Sequence, residues 1–438
     1  MNNHNVTFVL PGGLTLSGVV TWSIKLCKKL ADLNRPVGLI QHHDIAPKLE
    51  IAVPPNINVI RCKNKASPHN FYIEKDLKGY QIDYLKMMPS TIIPNGEAGT
   101  YATCALIAQE SPDILRTIGM AHSDEPGYYD WLSYYEPIIY KYIAVSNEIA
   151  EKLTQLIPHR AEDILIRPYA VDIELQLQRG YSPEPKPIQL MYAGRIVEKQ
   201  KRVSDLIELV KNLVSKQVNF QLRLVGDGPD VNKLKTHFQT LGQTISDRVT
   251  FEGNLTPPQI YEAWQTADVC ILVSEYEGTS ISMLEAMACG CIPVVTNVSG
   301  TKEVIEQSVN GFTVTVGDMA EMACIIEMLD DDRGMLAELG HSAHATILKG
   351  YSYDRYVPWF LNLIDEVWQQ SPRRWPEGWP LHRSPTLKEH MIAFSGEELS
   401  QLLPTKKLIK ALGFKVAAHP ALKWLHQFRI LGKKIVGD

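Results

Sequence analysis

The sequence lacks a large excess of charge, a paired cysteine pattern and long apolar runs. The net charge at pH 7 is −5 over 438 residues, so the bulk of the chain does not have the basic character that favours nucleic-acid binding. The 7 cysteines show no paired spacing, which favours a reducing compartment. Residues 1–5 carry no basic signal-peptide region, and no apolar run is as long as a membrane span. We therefore expect a cytoplasmic protein that binds no nucleic acid.

Two familiar ligand motifs are also missing. The loop after the first predicted strand contains Gly12, Gly13 and Gly18, but it lacks the G-x-G-x-x-G spacing of a dinucleotide fingerprint. A strand, a glycine-containing loop and a helix can still bring backbone close to a phosphate, and a simple tight turn is the alternative. No D-x-D lies at a predicted strand end, and Asp330–Asp332 is interpreted as a surface turn after a helix. The sequence therefore predicts no metal site.

The most informative stretch is residues 269–300. Val269–Val273 is a short apolar run typical of a buried parallel strand. Ser280 can cap a helix that runs to Ala288. Glu277 and Gly278 therefore fall where a strand ends and a helix begins. At such positions open α/β sheets bind ligands, and free backbone N–H groups attract anions.

A second carboxylate, Glu285, follows Glu277 by eight residues. Carboxylates accept hydrogen bonds from vicinal hydroxyls, so the two would suit a sugar or a ribose if both faced one cleft. A solvated helix position is the alternative for Glu285. Its neighbours are nearly all apolar, however, and a charged group in such surroundings is usually held by a specific partner.

Two cations follow an earlier predicted strand, Gln189–Ala193. Arg195 lies at the strand end, and Lys201 lies six residues later, before a predicted helix. An arginine offers a bidentate fork and a lysine a compact charge, so together they can clamp a diphosphate. A generic basic surface loop is the alternative, because Lys199 and Arg202 are close by.

Strands and helices alternate along most of the chain, which predicts an α/β fold with doubly wound parallel sheets. We expect a first domain in residues 1–180, a proline-rich linker in 181–187 and a second domain in 188–350. Residues 351–370 are predicted to form a helix that crosses back onto the first domain.

Polar residues follow predicted strands of the first domain and are candidates for acceptor recognition. Asn95 and Glu97 follow Thr91–Ile93. His122 and Asp124 follow an apolar strand that ends at Ala121, so His122 is expected at the top of the sheet and not in its core.

The last part of the chain, residues 371–438, is predicted to be a basic helical tail. From residue 404 onward it has eight lysines and arginines and one acid, with apolar residues at helical spacing. Such a pattern indicates peripheral membrane contact through residues 404–438. The alternative is that the apolar faces dock on the first domain, and the sequence leaves both open.

Three motifs of the second domain resemble those of the retaining GT-B glycosyltransferases usually called family 4. They are EGTSISMLEAMACGCIPVV at 277–295, GR(x5)K at 194–201 and LVGDGP at 224–229. The similarity extends from about residue 188 to 316 and more loosely to residue 1. It implies a GT-B fold, two Rossmann-like domains that face each other across a cleft.

The resemblance also implies roles for individual residues. Arg195 and Lys201 would stabilise the departing diphosphate, Glu277 would lie beside the sugar hydroxyls, and His122 would lie beside the reacting sugar. Glu285 would hold the ribose. The resemblance also implies that the donor contacts residues in the glycine-containing loop of the first domain and in several loops of the second domain. These residues are Gly12, Gly13, Gly18, Gly226, Asn254, Gly278, Thr279, Ser280 and Ile281.

The function that the resemblance implies is retaining transfer of a sugar from a nucleotide-diphosphate sugar to an acceptor hydroxyl. UDP is favoured over GDP or ADP, no cofactor or metal is expected, and the acceptor is a sugar or a lipid-linked molecule. The product would be a polysaccharide, a glycolipid or a small glycoside. Two alternatives remain: a nucleotide-sugar epimerase on the same fold, and a non-catalytic subunit that binds sugar nucleotides.

Overall fold

The first of two parallel sheets contains seven strands in the order β3-β2-β1-β4-β5-β6-β7. The structure is a computed structural model that describes residues 4–42, 50–63 and 74–381. We call the seven-stranded sheet and its helices the first lobe. Its strands are β1 (Asn5–Leu10), β2 (Val37–Gln41), β3 (Asn58–Arg61), β4 (Ser90–Pro94), β5 (Leu115–Ala121), β6 (Ile139–Ala144) and β7 (Ile164–Ile166). Its helices are α1 (Gly18–Asp32), α2 (Glu74–Leu85), α3 (Ala98–Glu110), α4 (Pro126–Tyr134) and α5 (Asn147–Leu156).

The second sheet contains six strands in the order β10-β9-β8-β11-β12-β13. We call this sheet and its helices the second lobe. Its strands are β8 (Ile188–Ala193), β9 (Phe220–Val225), β10 (Val249–Gly253), β11 (Val269–Leu272), β12 (Ile292–Thr296) and β13 (Phe312–Val314). Its helices are α6 (Glu198–Lys201), α7 (Asp205–Ser215), α8 (Val231–Thr240), α9 (Gln243–Ser246), α10 (Pro257–Thr266), α11 (Ile281–Ala288), α12 (Thr301–Val304), α13 (Met319–Asp331) and α14 (Gly334–Gly350).

The central strands of both sheets are buried and mostly apolar because helices cover both faces. Every residue of β5, β11 and β12 is buried. A strand that is buried on both faces carries no polar alternation, which explains why Val269–Val273 and Ile292–Val295 could be identified as strands from composition alone.

Each sheet has one point where the strand order reverses. In the first lobe it lies between β1 and β4, and in the second lobe between β8 and β11. Loops that leave two such strands diverge to opposite faces of the sheet and open a crevice at the carboxyl ends, where ligands bind. The loop with Gly12 and Gly13 and the residue Asn95 lie at the first reversal. Arg195 and Glu277 lie at the second.

The last described helix, α15 (Tyr353–Gln369), packs on the first lobe. The Trp368 indole N–H donates to Thr91 Oγ1 at 2.8 Å, and the Arg116 Nε donates to the Val367 carbonyl at 3.0 Å. Its buried face is the apolar face visible in the sequence, including Tyr356 and Phe360.

Residues 371–381 form no helix, in contrast to the predicted helical tail. Three prolines in this segment, Pro372, Pro376 and Pro380, prevent a continuous helix. The segment lies against the first lobe, where Tyr134 donates to the Pro380 carbonyl at 2.8 Å. The rest of the predicted tail, residues 382–438, lies outside the described residues.

Candidate active site

Three loops at the carboxyl edge of the second sheet are packed against each other. The Gly226 N–H donates to the Gly253 carbonyl at 2.7 Å. Gly226 has φ +130°, and a Cβ built on it would lie 2.0 Å from the Gly194 carbonyl oxygen, so only glycine fits there. The close approach brings Arg195 and Asn254, both exposed, to the same edge.

Lys201 and Glu277 form an ion pair at the reversal point of the second sheet. Their side chains are only 13% and 8% exposed. Ser274 Oγ also donates to Glu277 Oε1 at 2.7 Å, and the Ser274 carbonyl accepts from Thr296 Oγ1 at 2.7 Å. The loop after β11 is therefore held in one conformation, and it fixes a carboxylate and a cation side by side.

The amino terminus of α11 follows directly. Ser280 Oγ accepts from the Met283 N–H at 3.4 Å, which is the predicted cap. The N–H groups of Gly278, Thr279 and Ser280 donate to no acceptor within the described part of the chain. Free N–H groups at the positive end of a helix dipole attract an anionic ligand group.

The first lobe contacts this helix end directly. Thr279 Oγ1 donates to the Val145 carbonyl, and the Asp124 N–H donates to the Glu277 carbonyl at 3.3 Å. A Cβ built on Gly278 would lie 2.2 Å from the His122 carbonyl oxygen. The carboxyl ends of β5 and β6 thus meet the reversal point of the second sheet.

His122 is buried in a continuous chain of hydrogen bonds within the first lobe. Its Nδ1 lies 2.6 Å from the Tyr169 hydroxyl, and its Nε2 lies 2.9 Å from Asn95 Oδ1. The Asn95 Nδ2 donates to Ser23 Oγ at 3.0 Å, and Ser23 donates to the Val19 carbonyl at 2.8 Å. Because Asn95 Oδ1 can only accept, Nε2 of the neutral imidazole carries the proton and Nδ1 accepts from Tyr169.

Burial lowers the pKa of His122 to about 3, so the ring stays neutral in any ordinary buffer. With both nitrogens occupied, this histidine holds the end of β5 in place. The strand ends at Ala121 as predicted, but the expectation that His122 lies outside the core is wrong: the residue is 6% exposed, because Tyr169 and Asn95 cover its two nitrogens. The sequence gave no signal for the partners Tyr169 and Ser23.

Glu285 has partners different from those of Glu277. Its Oε1 lies 3.7 Å from Lys25 Nζ, and Lys25 Nζ lies 3.0 Å from Asp172 Oδ2. Burial raises the pKa of Glu285 to about 7, and the Lys25 ammonium opposes this rise. The predicted partner of Glu285 is therefore a lysine of α1 in the first lobe, which the sequence did not reveal.

A cavity of about 400 Å³ lies next to this group. Lys25 and Asp172 line it together with Tyr261, Cys289 and His344. Arg195, Lys201 and Glu277 do not line it. The two carboxylates of the E-x7-E pattern pair with separate cations, Glu277 with Lys201 and Glu285 with Lys25.

The remaining predicted residues have different settings. Asp124 accepts from Tyr129 and Lys152, and Glu97 precedes α3 with φ +69°. Gly13 closes a turn onto the Leu10 carbonyl at 3.1 Å. Gly18 is the first residue of α1, and a Cβ built on it would lie 3.3 Å from the Ile281 side chain, so this glycine reaches the second lobe.

No group of acidic, histidine or cysteine side chains within the described ranges could hold a metal ion. Over the same part of the chain, no helix has the length and hydropathy needed to cross a membrane.

Comparisons with known proteins show similarity both in sequence and in fold. A family model described as "Glycosyl transferases group 1" matches residues 176–346. An N-acetyl-alpha-D-glucosaminyl L-malate synthase of Bacillus anthracis is 30% identical over 192 residues, which cover 44% of this chain and 49% of that protein. A lipopolysaccharide 1,6-galactosyltransferase of Salmonella typhimurium is 33% identical over 137 residues, covering 30% of this chain and 36% of that protein. The chain thus matches about half or less of the length of these relatives.

Solved structures match over a longer range. TarM of S. aureus, solved with fondaparinux, alpha-GlcNAc-glycerol and UDP, has a TM-score of 0.67 at 14% identity, covering 84% of this chain and 100% of that chain. Anabaena HepE in complex with UDP and glucose has a TM-score of 0.64 at 18% identity, covering 82% and 99%. At such identities the likeness shows the fold, and it confirms the predicted GT-B arrangement.

Proposed function

We propose that the chain belongs to the glycosyl transferases group 1 family, whose model matches residues 176–346, and that it is a retaining glycosyltransferase. It would transfer a sugar from a nucleotide-diphosphate sugar to an acceptor hydroxyl. The C1–O bond to the diphosphate breaks, a C1–O bond to the acceptor forms, and the acceptor proton passes to the diphosphate.

The observation that carries this proposal is the arrangement at the reversal point of the second sheet. Lys201, whose side chain is 13% exposed, lies beside Glu277, and Glu277 is followed along the chain by the free N–H groups of Gly278, Thr279 and Ser280, just before α11. Negative charge develops on the leaving diphosphate, and fixed cations and amides lower the barrier most where that charge appears. Arg195, exposed at the same edge, adds a second cation without a competing ion pair within the described part of the chain.

Glu277 would meet the sugar hydroxyls once Lys201 turns towards the phosphates, and Glu285 would accept from the ribose hydroxyls. We propose UDP as the nucleotide, since TarM and HepE were solved with UDP. The contacts of Gly278 and Thr279 with the first lobe would exclude water, which otherwise hydrolyses the donor.

Incubation of the full chain with UDP-, GDP- and ADP-sugars tests the proposal. A thermal-shift titration first ranks the nucleotides, because a ligand that binds the folded state raises the melting temperature. Transfer to an acceptor, with retention at C1, is then followed by mass spectrometry and NMR. Conversion of the donor sugar to an isomer without acceptor would favour the epimerase alternative. Binding without turnover would favour the non-catalytic one.

The class of acceptor that we propose depends on what the basic segment 404–438 binds. If this basic segment binds anionic lipid, a lipid-linked acceptor is favoured; if it docks on the first lobe, a soluble sugar acceptor is favoured. Co-sedimentation of the full chain with vesicles of phosphatidylglycerol, and with phosphatidylcholine vesicles as the control, separates the two. Binding to the first only, and its loss at high salt, would support the lipid-linked class.

A further inference from the structure

Lys25, Asp172 and Glu285 form a charge cluster between the two lobes. Lys25 lies on α1 of the first lobe, Asp172 lies in the connection between the sheets, and Glu285 lies on α11 of the second lobe. The Lys25 ammonium is 3.0 Å from Asp172 and 3.7 Å from Glu285. A single cation therefore bridges two carboxylates that come from different parts of the chain.

The position of Lys25 is fixed by more than the two ion pairs. Its ammonium lies 4.6 Å from the centre of the Tyr261 ring, a cation–π contact with the second lobe. The side chain is 20% exposed, so solvent screens the interaction only in part. Lys29, one helical turn later, reaches Asp172 at 3.7 Å but makes no ion pair with Glu285.

Glu285 has few other means of remaining charged. The groups that face it are Lys25 on α1, Asp172 in the connection, Tyr261 on α10, Tyr353 on α15 and Cys289 at the end of its own helix. Of these only Lys25 is cationic. Asp172 acts in the opposite direction, and burial alone favours the protonated carboxyl.

We propose that Lys25 is a positioning residue that keeps the Glu285 carboxylate ionised and oriented to accept hydrogen bonds from the donor ribose. The inference rests on one part of the proposed function, the binding of a nucleotide, and not on sugar transfer. A carboxylate accepts from both vicinal hydroxyls, whereas a protonated carboxyl presents one oxygen as a donor and loses that arrangement. Because Lys25 belongs to the first lobe and Glu285 to the second, high affinity for the nucleotide depends on contact between the lobes.

The test measures UDP affinity by calorimetry, and donor KM and kcat, from pH 5.5 to pH 9. The variants are Lys25→Met, Lys25→Arg and Lys28→Met. Lys28→Met is the matched control, because it removes the same charge from the same helix but, among the described residues, Lys28 pairs only with Asp32, at 2.6 Å.

Affinity for UDP requires ionised Glu285, so it falls as the pH falls through the pKa of this carboxyl. Loss of an ammonium at this distance raises such a pKa by about 1 or more. With the wild-type pKa at about 7, Lys25→Met is then expected to weaken UDP binding about fivefold at pH 7 and hardly at all at pH 9. We expect KM to follow, kcat at pH 9 to change little, Lys25→Arg to restore most of the affinity, and Lys28→Met to match wild type.

An unchanged pH midpoint in Lys25→Met would overturn the inference, even if UDP bound more weakly, because a purely structural lysine lowers affinity equally at all pH values. Absence of UDP, GDP and ADP binding by the wild type would overturn it as well. In Glu285→Gln, the further change Lys25→Met should have no additional effect. If the midpoint moves but no sugar is transferred to any acceptor, the inference stands and the proposed transferase function fails.

Discussion

Replacement of Lys201 by methionine separates the structural role of this lysine from its proposed catalytic role. The change removes the cation from a pair in which Glu277 is only 8% exposed. Removing one partner of a buried ion pair costs about 3–5 kcal/mol, because the remaining charge loses its compensation. Ser274 still donates to Glu277 at 2.7 Å, so we expect the lower end, about 3 kcal/mol.

Such a loss is visible in a melting experiment. For a domain of 150–250 residues, 1 kcal/mol shifts the melting temperature by about 2–4 °C, so Lys201→Met should melt about 6–12 °C lower. The double variant Lys201→Met, Glu277→Gln removes both charges, and we expect it to recover most of this difference. Transfer should remain about 10²–10³-fold below wild type in both variants, since a group that stabilises charge in the transition state is missing.

Lys199→Met is the matched control. Lys199 lies on the same short helix, α6, but is exposed, so this variant should keep the wild-type melting temperature and transfer rate. If Lys201→Met has the melting temperature of the wild type, the ion pair does not contribute to the free energy of unfolding in the way expected of a buried pair. If the double variant transfers sugar at the wild-type rate, Lys201 does not stabilise the leaving diphosphate.

Three further predictions concern the contact between the lobes and the chemistry. Gly278→Ala places a methyl group 2.2 Å from the His122 carbonyl, so we expect kcat to fall at least about tenfold and UDP affinity to fall as well, because nucleotide binding depends on the same contact; a normal kcat would show that the lobes need not meet here. Tyr169→Phe leaves His122 Nδ1 without its donor and should destabilise the protein by about 1–3 kcal/mol in urea unfolding. Since the pKa of His122 is about 3, the same variant should not alter the pH–rate profile from pH 5 to 9, and an altered profile would assign His122 a titrating role. Transfer should persist in EDTA, and loss of activity that Mg²⁺ or Mn²⁺ restores would contradict the metal-independent reading.

The local sequence pattern was sufficient to predict where the residues at the reversal point of the second sheet lie. The end of β11, the loop with Glu277 and the cap at Ser280 follow one another within a dozen residues. Strand burial, loop polarity and helix capping each depend on near neighbours, so the sequence could predict where this loop lies. The ion pair with Lys201 was not predicted, although both residues were identified.

Glu285 and His122 show where such reasoning stops. The sequence indicated that Glu285 needs a specific partner, and His122 was expected to end a strand. Their partners are Lys25, Asn95 and Tyr169, which come from elements far apart in the chain.

The sequence by itself determined the α/β alternation, the two parallel sheets and the polar loops at their carboxyl edges, because these follow from the periodicity and composition of short segments. Tertiary structure alone decided that one carboxylate pairs with Lys201 within its own lobe and the other with Lys25 across the lobes. It also decided that both ring nitrogens of His122 take part in a buried hydrogen-bond network. Ion pairs and buried hydrogen bonds depend on distances of a few ångströms between segments remote in sequence, and only the packing of whole sheets and helices sets those distances.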